Sequence, residues 1–541
     1  MNIGVSYYPE YNNKQDWKTH FQKISDAGIK RVRMAEFSWS LIQPHEDVFN
    51  WQWLDESISL AQQFNIEIVL GTPTSCPPIW LVEKYPEVLP VNKEGRRTSF
   101  GARQHRCYNS PAYIYYSSKL VDKMAERYGK HPNIGAWQID NELGGEQKYC
   151  YCQNCKKAFQ KYLKNKYDSI ENLNERWMNH FWSQDYSKWD QIPVPVKFAS
   201  DLDMKHHPSL QLEFMRFSSN SIVNFCNMQY SIIKRHTNKC VTTNTDSFLF
   251  GDNVNLHDLF KTLDIGAIDI YSDDPCEISF YCDITRSLKG NNFWMMEFGT
   301  GSPNLVKHMD LCKNSGCEWF LLFTFLPFPA GQEQGFKGLL TITGSEEPNY
   351  HNVKKWIEEN SMPSASSLDA NIGIVYDFDS SWQYNISSWG SNIIDKQVYP
   401  KYMMQTVYKS FFEEGLTPLQ FIYDSENIDI GKFKVIVAPM HAIYDKNKED
   451  AMIRFVKNGG ILVATSDLFI KNADNVFFTS IPNIYKEILN LKSNDFPQDA
   501  TTEDYIIASS RVDSGGEMWI IKEYANINHW KLICNRIKEL I

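Results

Sequence analysis

No apolar run in this 541-residue sequence approaches the length of a membrane span, which takes about 20 residues, so an integral membrane protein is not expected. The opening stretch, Met1-Asn-Ile-Gly-Val-Ser-Tyr-Tyr8, lacks the basic and apolar segments of a secretory signal and points to the cytoplasm. Lysine and arginine never gather into a block, and 55 of them against 65 Asp+Glu leave a formal net charge of −10. Nucleic acid and anionic membrane surfaces are therefore poor partners. Glycine (27) and proline (23) are sparse, and no tract is repeated or of low complexity; collagen-like and disordered chains are excluded. Neither a GxGxxG nor a Walker loop occurs, which removes the phosphate cradle that a dinucleotide-dependent dehydrogenase needs.

What remains is a globular chain with 43 % hydrophobic residues, long enough for two or three domains that each bury a core. Twelve cysteines in a cytoplasmic chain of this length do not make a disulfide framework. Most are expected as small buried apolar residues, unless their spacing marks them as metal ligands. Aromatic residues reach 14 %, with 16 Trp and 28 Tyr. That content serves either a large aromatic core or platforms for sugar rings, and composition does not choose between them.

Short β-rich runs alternate with amphipathic helical stretches from the first residue, the pattern of βα units on a parallel sheet. Eight strands are predicted: Ile3 to Tyr8, Arg31 to Phe37, Glu67 to Pro73, Ile134 to Asn141, Cys240 to Asp246, Ala267 to Tyr271, Phe293 to Phe298 and Trp319 to Phe325. Helices such as Lys14 to Ala27, Leu54 to Phe64 and Ala112 to Tyr128 lie between them. Eight units, with a long insertion after the fourth strand, predict a (β/α)8 barrel over residues 1–365 whose catalytic groups sit at the C-terminal strand ends. The Ser/Pro-rich stretch Ser361-Met-Pro-Ser-Ala-Ser-Ser367 marks a boundary. A smaller, doubly wound α/β domain is predicted over 368–541 from the buried runs Asn371 to Tyr376, Phe433 to Pro439 and Gly460 to Thr465. A strand at Met518 to Ile521 and a helix at His529 to Leu540 close it, and Asn458-Gly-Gly460 reads as a helix C-cap.

Strand four runs out through Trp137-Gln-Ile-Asp-Asn-Glu142 and strand seven through Phe293-Trp-Met-Met-Glu297, so each delivers a carboxylate to the barrel mouth. Burying a carboxylate after an apolar strand is costly unless it is paired or used. One such Glu alone reads as a strand-end salt bridge; two at one face make the acid/base and nucleophile of a retaining glycosidase, whose carboxyl groups stand ~5–5.5 Å apart. Tyr271 is a candidate at the same mouth, and Phe323 is a candidate that also reads as core. Asp269, Asp273 and Asp274 are within reach of a substrate at this mouth but read rather as solvated strand-end carboxylates; His206-His207 are metal-ligand candidates that read rather as surface residues, and Cys240, Cys312 and Cys317 read as core. A separate chemistry is signalled by Cys150-Tyr-Cys152-Gln-Asn-Cys155. This spacing supplies three ligands of a tetrahedral site and Cys107, in an earlier loop, a fourth, a set that suits structural Zn2+ with no open position. The alternative is a loop of free thiols beside Lys148, Lys156 and Lys157, prone to oxidation without a metal.

The placement of Asn141-Glu142 and Glu297 resembles the glycoside hydrolase clan whose (β/α)8 barrels carry the acid/base after strand four and the nucleophile after strand seven. Within it the sequence is similar to family 42, the β-galactosidases. The likeness is carried by Gly4-Val-Ser-Tyr-Tyr-Pro-Glu10, Arg33-Met-Ala-Glu-Phe-Ser-Trp39, Gly71-Thr-Pro-Thr-Ser-Cys-Pro-Pro-Ile-Trp-Leu81, Ser99-Phe-Gly-Ala-Arg103, Asn133-Ile-Gly-Ala-Trp-Gln-Ile-Asp-Asn-Glu142, Phe181-Trp-Ser-Gln184 and Gly331-Gln-Glu333. It implies Glu142 as general acid/base and Glu297 as nucleophile. Arg103 and Asn141 would hydrogen-bond the sugar, Asn141 near its 2-hydroxyl; Trp182 would border it, and Glu333 would hold its far hydroxyls. It also implies zinc on the four cysteines. The second domain looks like the family's trimerisation domain, which implies a homotrimer whose active sites are walled partly by a neighbouring subunit.

The implied activity is that of a retaining exo-β-galactosidase acting on terminal non-reducing β-D-galactosides of small oligosaccharides through a glycosyl-Glu297 intermediate, without a catalytic cofactor. The chain departs from the family at several places. Phe325 and Leu326 replace a common Trp-Arg pair, Phe336 stands where a His often follows the Glu, and Phe298-Gly-Thr-Gly-Ser-Pro-Asn304 is less polar than usual. The family's small C-terminal β-domain is not expected here. Fewer polar groups around the sugar leave open the same chemistry on another pyranoside, such as an α-L-arabinopyranoside, β-glucoside or β-mannoside, or a catalytically silent sugar-binding protein.

Overall fold

The computed structural model describes residues 1–147, 149–196, 206–247, 254–290, 292–360, 370–386, 398–429, 432–492, 505–522 and 524–541. The Ser/Pro-rich stretch from Ser361 to Ser367, the boundaries placed at 365 and 368, and Lys148 lie outside the described residues. Packing divides the chain into two compact units, Met1–Cys155 with Ser218–Leu368, and Lys156–Phe217 with Asp369–Ile541.

The first unit is a nearly closed barrel of eight parallel strands: β1 (Asn2–Ser6), β2 (Arg31–Met34), β3 (Glu67–Gly71), β4 (Ile134–Gln138), β5 (Cys240–Thr242), β6 (Gly266–Ile270), β7 (Phe293–Gly299) and β8 (Cys317–Phe323). Their order is β5-β4-β3-β2-β1-β8-β7-β6. Where β5 meets β6 the ladder is reduced to a parallel bridge between Asp246 and Asp269, with the Asp269 N–H donating to the Thr245 carbonyl at 2.8 Å. All eight expected strands are present. Several end earlier than the sequence predicts, because the polar residues at their C-terminal ends bond across the barrel mouth instead of continuing the ladder. Helices pack between strands as expected. The one at Pro111–Tyr128 starts on an N-cap, Ser110, whose hydroxyl accepts from the Tyr113 N–H, with proline at the first helical position.

The second unit holds a six-stranded sheet: β9 (Ile372–Val375), β10 (Gln420–Ile422), β11 (Val435–Ala438), β12 (Ile461–Thr465), β13 (Ile506–Arg511) and β14 (Glu517–Ile521), in the order β10-β9-β11-β12-β14-β13. Only β13 runs antiparallel, against β14. The central strands are buried on both faces, as their unbroken Val/Ile/Leu runs require. The helix Lys446–Lys457 is capped by Asp445 and stops at Asn458, followed by Gly459 at φ 97°. Residues 156–217 are fastened within this unit by two forked ion pairs. Arg216 donates to both oxygens of Asp379 at 2.9 and 2.7 Å, and Arg176 to both of Asp474 at 2.8 and 3.0 Å, where Tyr167 adds a bond of 2.7 Å. Among the described residues no helix is long and apolar enough to cross a membrane.

His441, just past β11, is fully buried, and neither ring nitrogen has a hydrogen-bond partner among the described residues. Burial pushes its pKa down from 6.5 to about 4. The unfolded chain takes up this proton near pH 6.5, before the folded one does, so acidification from pH 6.5 towards 4 costs stability and pH above 6.5 does not. The imidazole accounts for about 2 kcal/mol of stability lost between pH 7 and pH 5. His441→Leu is expected to remove that part of the slope in urea unfolding at the two pH values; an unchanged slope would refute a neutral His441.

Candidate active site

The C-terminal strand ends bring one polar set together. Tyr8 follows β1, Arg33 lies on β2 with Glu36 just beyond it, Thr72 and Thr74 follow β3, and Gln138 ends β4. Asn244 follows β5, Asp269 and Tyr271 come from the end of β6, Glu297 lies on β7, and Phe323 ends β8.

Beyond β4 the backbone takes left-handed conformations at Asp140 (φ 54°) and Glu142 (φ 45°). Such conformations cost non-glycine residues roughly 1–3 kcal/mol and persist only where surrounding bonds enforce them. Here the Asp140 carboxylate accepts from Arg106 at 2.6 Å and Thr74 at 2.5 Å, and its N–H donates to Thr72 Oγ1 at 2.8 Å. The Glu142 N–H donates to Asn244 Oδ1 at 3.0 Å. The Glu142 side chain is thereby turned into the mouth at 6 % exposure, paired with Arg103 at 3.0 Å and accepting from Asn141 Nδ2 at 3.2 Å. Burial first, then the negative charge of Glu297, raises its carboxyl from 4.5 to about 8, against the pull of Arg103. A carboxyl that keeps its proton at neutral pH can serve as a general acid.

Glu297 stands in different company. Arg33 Nη1 reaches its Oε1 at 2.6 Å, the Tyr271 hydroxyl donates to its Oε2, and Asn244 Nδ2 approaches at 3.4 Å. Arg33 is wholly buried and also holds Glu36 at 3.0 Å, Gln138 Oε1 at 3.3 Å and the Tyr8 hydroxyl at 2.9 Å. Burial works against this guanidinium, but Glu297 and Glu36 hold it firmly charged. Glycine at 71 makes room for the arrangement, since a methyl group there would lie 2.5 Å from Glu36 Cβ. One carboxyl oxygen from each of Glu142, Asp269 and Glu297 lies within 4.8 Å of the other two.

Arg103 ties the rim together, donating to Glu146 at 2.7 Å and facing Glu333 at 3.5 Å in addition to Glu142. One wall is aromatic: the Phe323 ring lies 5.8 Å under the Arg33 guanidinium, 5.1 Å from Phe336 and 6.2 Å from Tyr271. Of the residues that depart from the family pattern, Phe325 is buried against Tyr7 at 5.8 Å and Leu326 is buried as well. Phe336, by contrast, remains 36 % exposed, with its ring 5.9 Å from Tyr271.

The structure thus brings Arg103, Asn141, Glu142, Tyr271, Glu297, Phe323 and Glu333 to one mouth. Trp182 belongs to the second unit, where it is exposed at φ 57° and stacked on Phe181 at 4.8 Å. Asp269 requires a correction. It is fully buried rather than solvated, because β6 turns it inward beside Glu297. Asp273 is exposed, and Asp274 caps the helix Pro275–Lys289 by accepting from the Cys276 N–H. His207 likewise accepts from the Ser209 N–H at the start of a helix. Sequence reasoning missed Arg33, Glu36 and Asn244. A charge inside the strand Arg31-Val-Arg33-Met was a usable signal for Arg33, since arginine is seldom fully buried without a partner.

Away from this mouth, the Sγ atoms of Cys107, Cys150, Cys152 and Cys155 lie within 4.8 Å of one another, with Cys107 at 3.7 Å from Cys152 and 3.4 Å from Cys155. Backbone N–H groups of Val91 and Cys155 point at the Cys150 and Cys152 sulfurs. Cysteine ligands 2.3 Å from a tetrahedral Zn2+ stand ~3.8 Å apart, so this donor set sits at metal-binding distance.

The family model described as beta-galactosidase matches residues 6–362, and that of the beta-galactosidase trimerisation domain matches residues 370–503. Beta-galactosidase BgaA of Clostridium cellulovorans is 33 % identical over 516 residues, covering 90 % of this chain and 76 % of that protein. Beta-galactosidase LacZ of Heyndrickxia coagulans is 31 % identical over 519 residues, with 91 % and 76 % covered. The solved structure of the polyextremophilic beta-galactosidase of Halorubrum lacusprofundi superimposes with a TM-score of 0.89 at 25 % identity, covering 100 % of this chain and 89 % of that one. With two glutamates at the ends of β4 and β7 of such a barrel, and a family match running through nearly all of it, the chain belongs to the family 42 β-galactosidases, a family of glycoside hydrolases.

Proposed function

We propose that this protein is a retaining exo-β-galactosidase that removes terminal β-D-galactosyl groups from small oligosaccharides, with Glu297 as nucleophile and Glu142 as acid/base. The observation that carries this reading is the approach of one Glu142 carboxyl oxygen to one of Glu297 within 4.8 Å. Oxygens this close support the ~5–5.5 Å carboxyl separation of a retaining enzyme, in which a protein carboxylate attacks directly, over the ~6.5–9.5 Å of an inverting one. In the first step Glu142 gives its proton to the glycosidic oxygen as the C1–O bond breaks, and a Glu297 oxygen bonds to C1. Glu297 is then an ester without charge, which removes one cause of the raised Glu142 pKa. Glu142, now a carboxylate, takes a proton from water as the water oxygen attacks C1 and the ester bond breaks.

Arg103, Asn141 and Glu333 are assigned to the sugar hydroxyls, Tyr271 to orienting Glu297, and Phe323 to the apolar face of the ring. Trp182 is assigned to the sugar's border, contributed in a homotrimer built through the second unit, an assembly supported by the trimerisation-domain match. The four clustered cysteines would hold a structural Zn2+ that takes no part in the chemistry. Twelve cysteines without a single disulfide support a cytoplasmic setting.

The deciding experiment is hydrolysis of aryl β-galactoside, β-glucoside, β-mannoside and α-L-arabinopyranoside, with the product anomer read by NMR before mutarotation. Galactoside preference with retention is expected. Glu297→Ala should abolish turnover, while Glu142→Ala should cost about 10²–10⁴-fold on leaving groups that need a proton and far less on those that do not. Azide should restore Glu142→Ala and give the β-galactosyl azide. No turnover by the folded wild type would leave a sugar-binding protein as the better account. Because the protonated form of Glu142 is the active one, kcat/KM should fall as pH rises through about 8. A profile flat to pH 10 would exclude Glu142 as the acid. Metal analysis should find about one zinc per chain, and Cys107→Ser should lower both zinc content and Tm while leaving kcat near that of the wild type; full zinc content in that variant would remove Cys107 from the site.

A further inference from the structure

Among the described residues Asn244 bonds to both glutamates, to the Glu142 backbone and to the Glu297 carboxylate. Its Oδ1 accepts from the Glu142 N–H at 3.0 Å and from Gln138 Nε2 at 3.0 Å. Those two donors fix which end of the amide is oxygen. Its Nδ2 then faces three acceptors with two hydrogens: Asp269 Oδ2 at 2.6 Å, Asn141 Oδ1 at 3.0 Å and Glu297 Oε1 at 3.4 Å. The shortest of these bonds, and so the one that sets the rotation of the amide, goes to Asp269.

Asp269 is fully buried, and its second oxygen, Oδ1, has no hydrogen-bond partner among the described residues. Charged groups face it from every neighbouring strand: Glu297 on β7, Glu142 beyond β4, Asp246 beyond β5 and Arg33 on β2. Arg33 is already committed to Glu36 and Glu297, and Arg103 to Glu142, Glu146 and Glu333. Among the described residues no guanidinium forms an ion pair with Asp269, and Arg33 acts on it only from a distance. Two like-charged carboxylates this close, in a site shielded from water, cannot both stay ionised without a cation between them.

We infer that Asp269 serves the reaction as a neutral carboxylic acid, a positioning residue that orients Asn244 and, through it, Glu142 and Glu297. Its proton rests on Oδ1, because Oδ2 is the acceptor of the Asn244 bond. Burial, and the charges of Glu297 and Glu142, raise the Asp269 pKa far above the ordinary carboxylate range, in keeping with that protonation. The inference rests on the two-glutamate reading for its catalytic half, while the protonation of Asp269 stands independently of turnover.

The test compares wild type, Asp269→Asn and Asp269→Ala. An amide at 269 reproduces the neutral acid, with its oxygen accepting from Asn244. Asp269→Asn is therefore expected to keep kcat near wild type and to leave the basic limb of kcat/KM in place to within about 0.3 pH unit. Asp269→Ala frees the Asn244 amide and should lower kcat roughly 100-fold with little change in KM. At pH 7 and without substrate, the infrared carbonyl absorption of protonated carboxylic acids should lose one component in Asp269→Asn, and that same component should persist in Glu142→Gln, which removes a different protonated carboxyl. A basic limb shifted down by about one unit or more in Asp269→Asn would mean that a negative charge had been removed, and would overturn the inference. So would an infrared band that Asp269→Asn leaves unchanged, or full kcat in Asp269→Ala. Should the wild type turn over no galactoside at all, the two-glutamate reading fails, and the infrared comparison still decides the state of Asp269.

Discussion

The guanidinium of Arg33, wholly buried between Glu36 and Glu297, is the constraint on which the reaction centre is built. A cation in that place is tolerable only because two carboxylates balance its charge while a tyrosine and a glutamine accept its hydrogens. The partners in turn fix positions on β1, β2, β4 and β7, so one side chain sets the register of half the barrel mouth. Removing one partner of a buried pair leaves an uncompensated charge, at a cost of about 3–5 kcal/mol. The network is thus as much a structural clamp as a catalytic accessory.

From that clamp follows a division of labour between two residues of the same type. Glu297 lies against a fixed positive charge and a phenol, whereas Glu142 has been drawn out of water beside a half-exposed arginine and opposite a like charge. Identical side chains acquire different duties because their surroundings differ: Glu297 is held against a buried cation, and Glu142 is pushed by burial and a neighbouring charge to keep its proton. The left-handed turn that carries Glu142 is part of this arrangement, since an ordinary strand exit would have sent its carboxyl along the barrel wall rather than across the mouth.

Much of this was legible in the sequence. Alternating β-rich and amphipathic runs gave the eight barrel strands, and apolar strands ending in a carboxylate located Glu142 and Glu297. The C-x-C-x2-C spacing located three of the clustered cysteines. What stayed hidden has physical reasons. β10 has three residues and β13 is a half-exposed edge strand, so neither carries the buried run that marks β11 and β12. Asn244 sits in a Thr-Thr-Asn-Thr stretch that reads as any polar loop, and its importance comes from partners more than 100 residues away in sequence, Gln138 and Glu142. Asp269 looked solvated because strand-end carboxylates usually are. Only the bulge that shifts the register between β6 and β7 pairs it with Glu297.

The forked ion pairs of Arg216 and Arg176 have a bearing on how the molecule can be divided. They fasten the segment that carries Arg176 and Arg216 to Asp379, on the helix Phe378–Asn385, and to Asp474, in a turn after β12, neither of which is synthesised until after residue 369. A contiguous cut near the boundary between the two family models would therefore sever a unit instead of separating two. The N-terminal piece would keep the basic half of each ion pair and the C-terminal piece the acidic half. In the order of synthesis, the barrel's first four strands must wait through that segment before the fifth arrives, and the segment must wait for its partners beyond residue 369. The two units are interleaved in the chain even though each is compact in space.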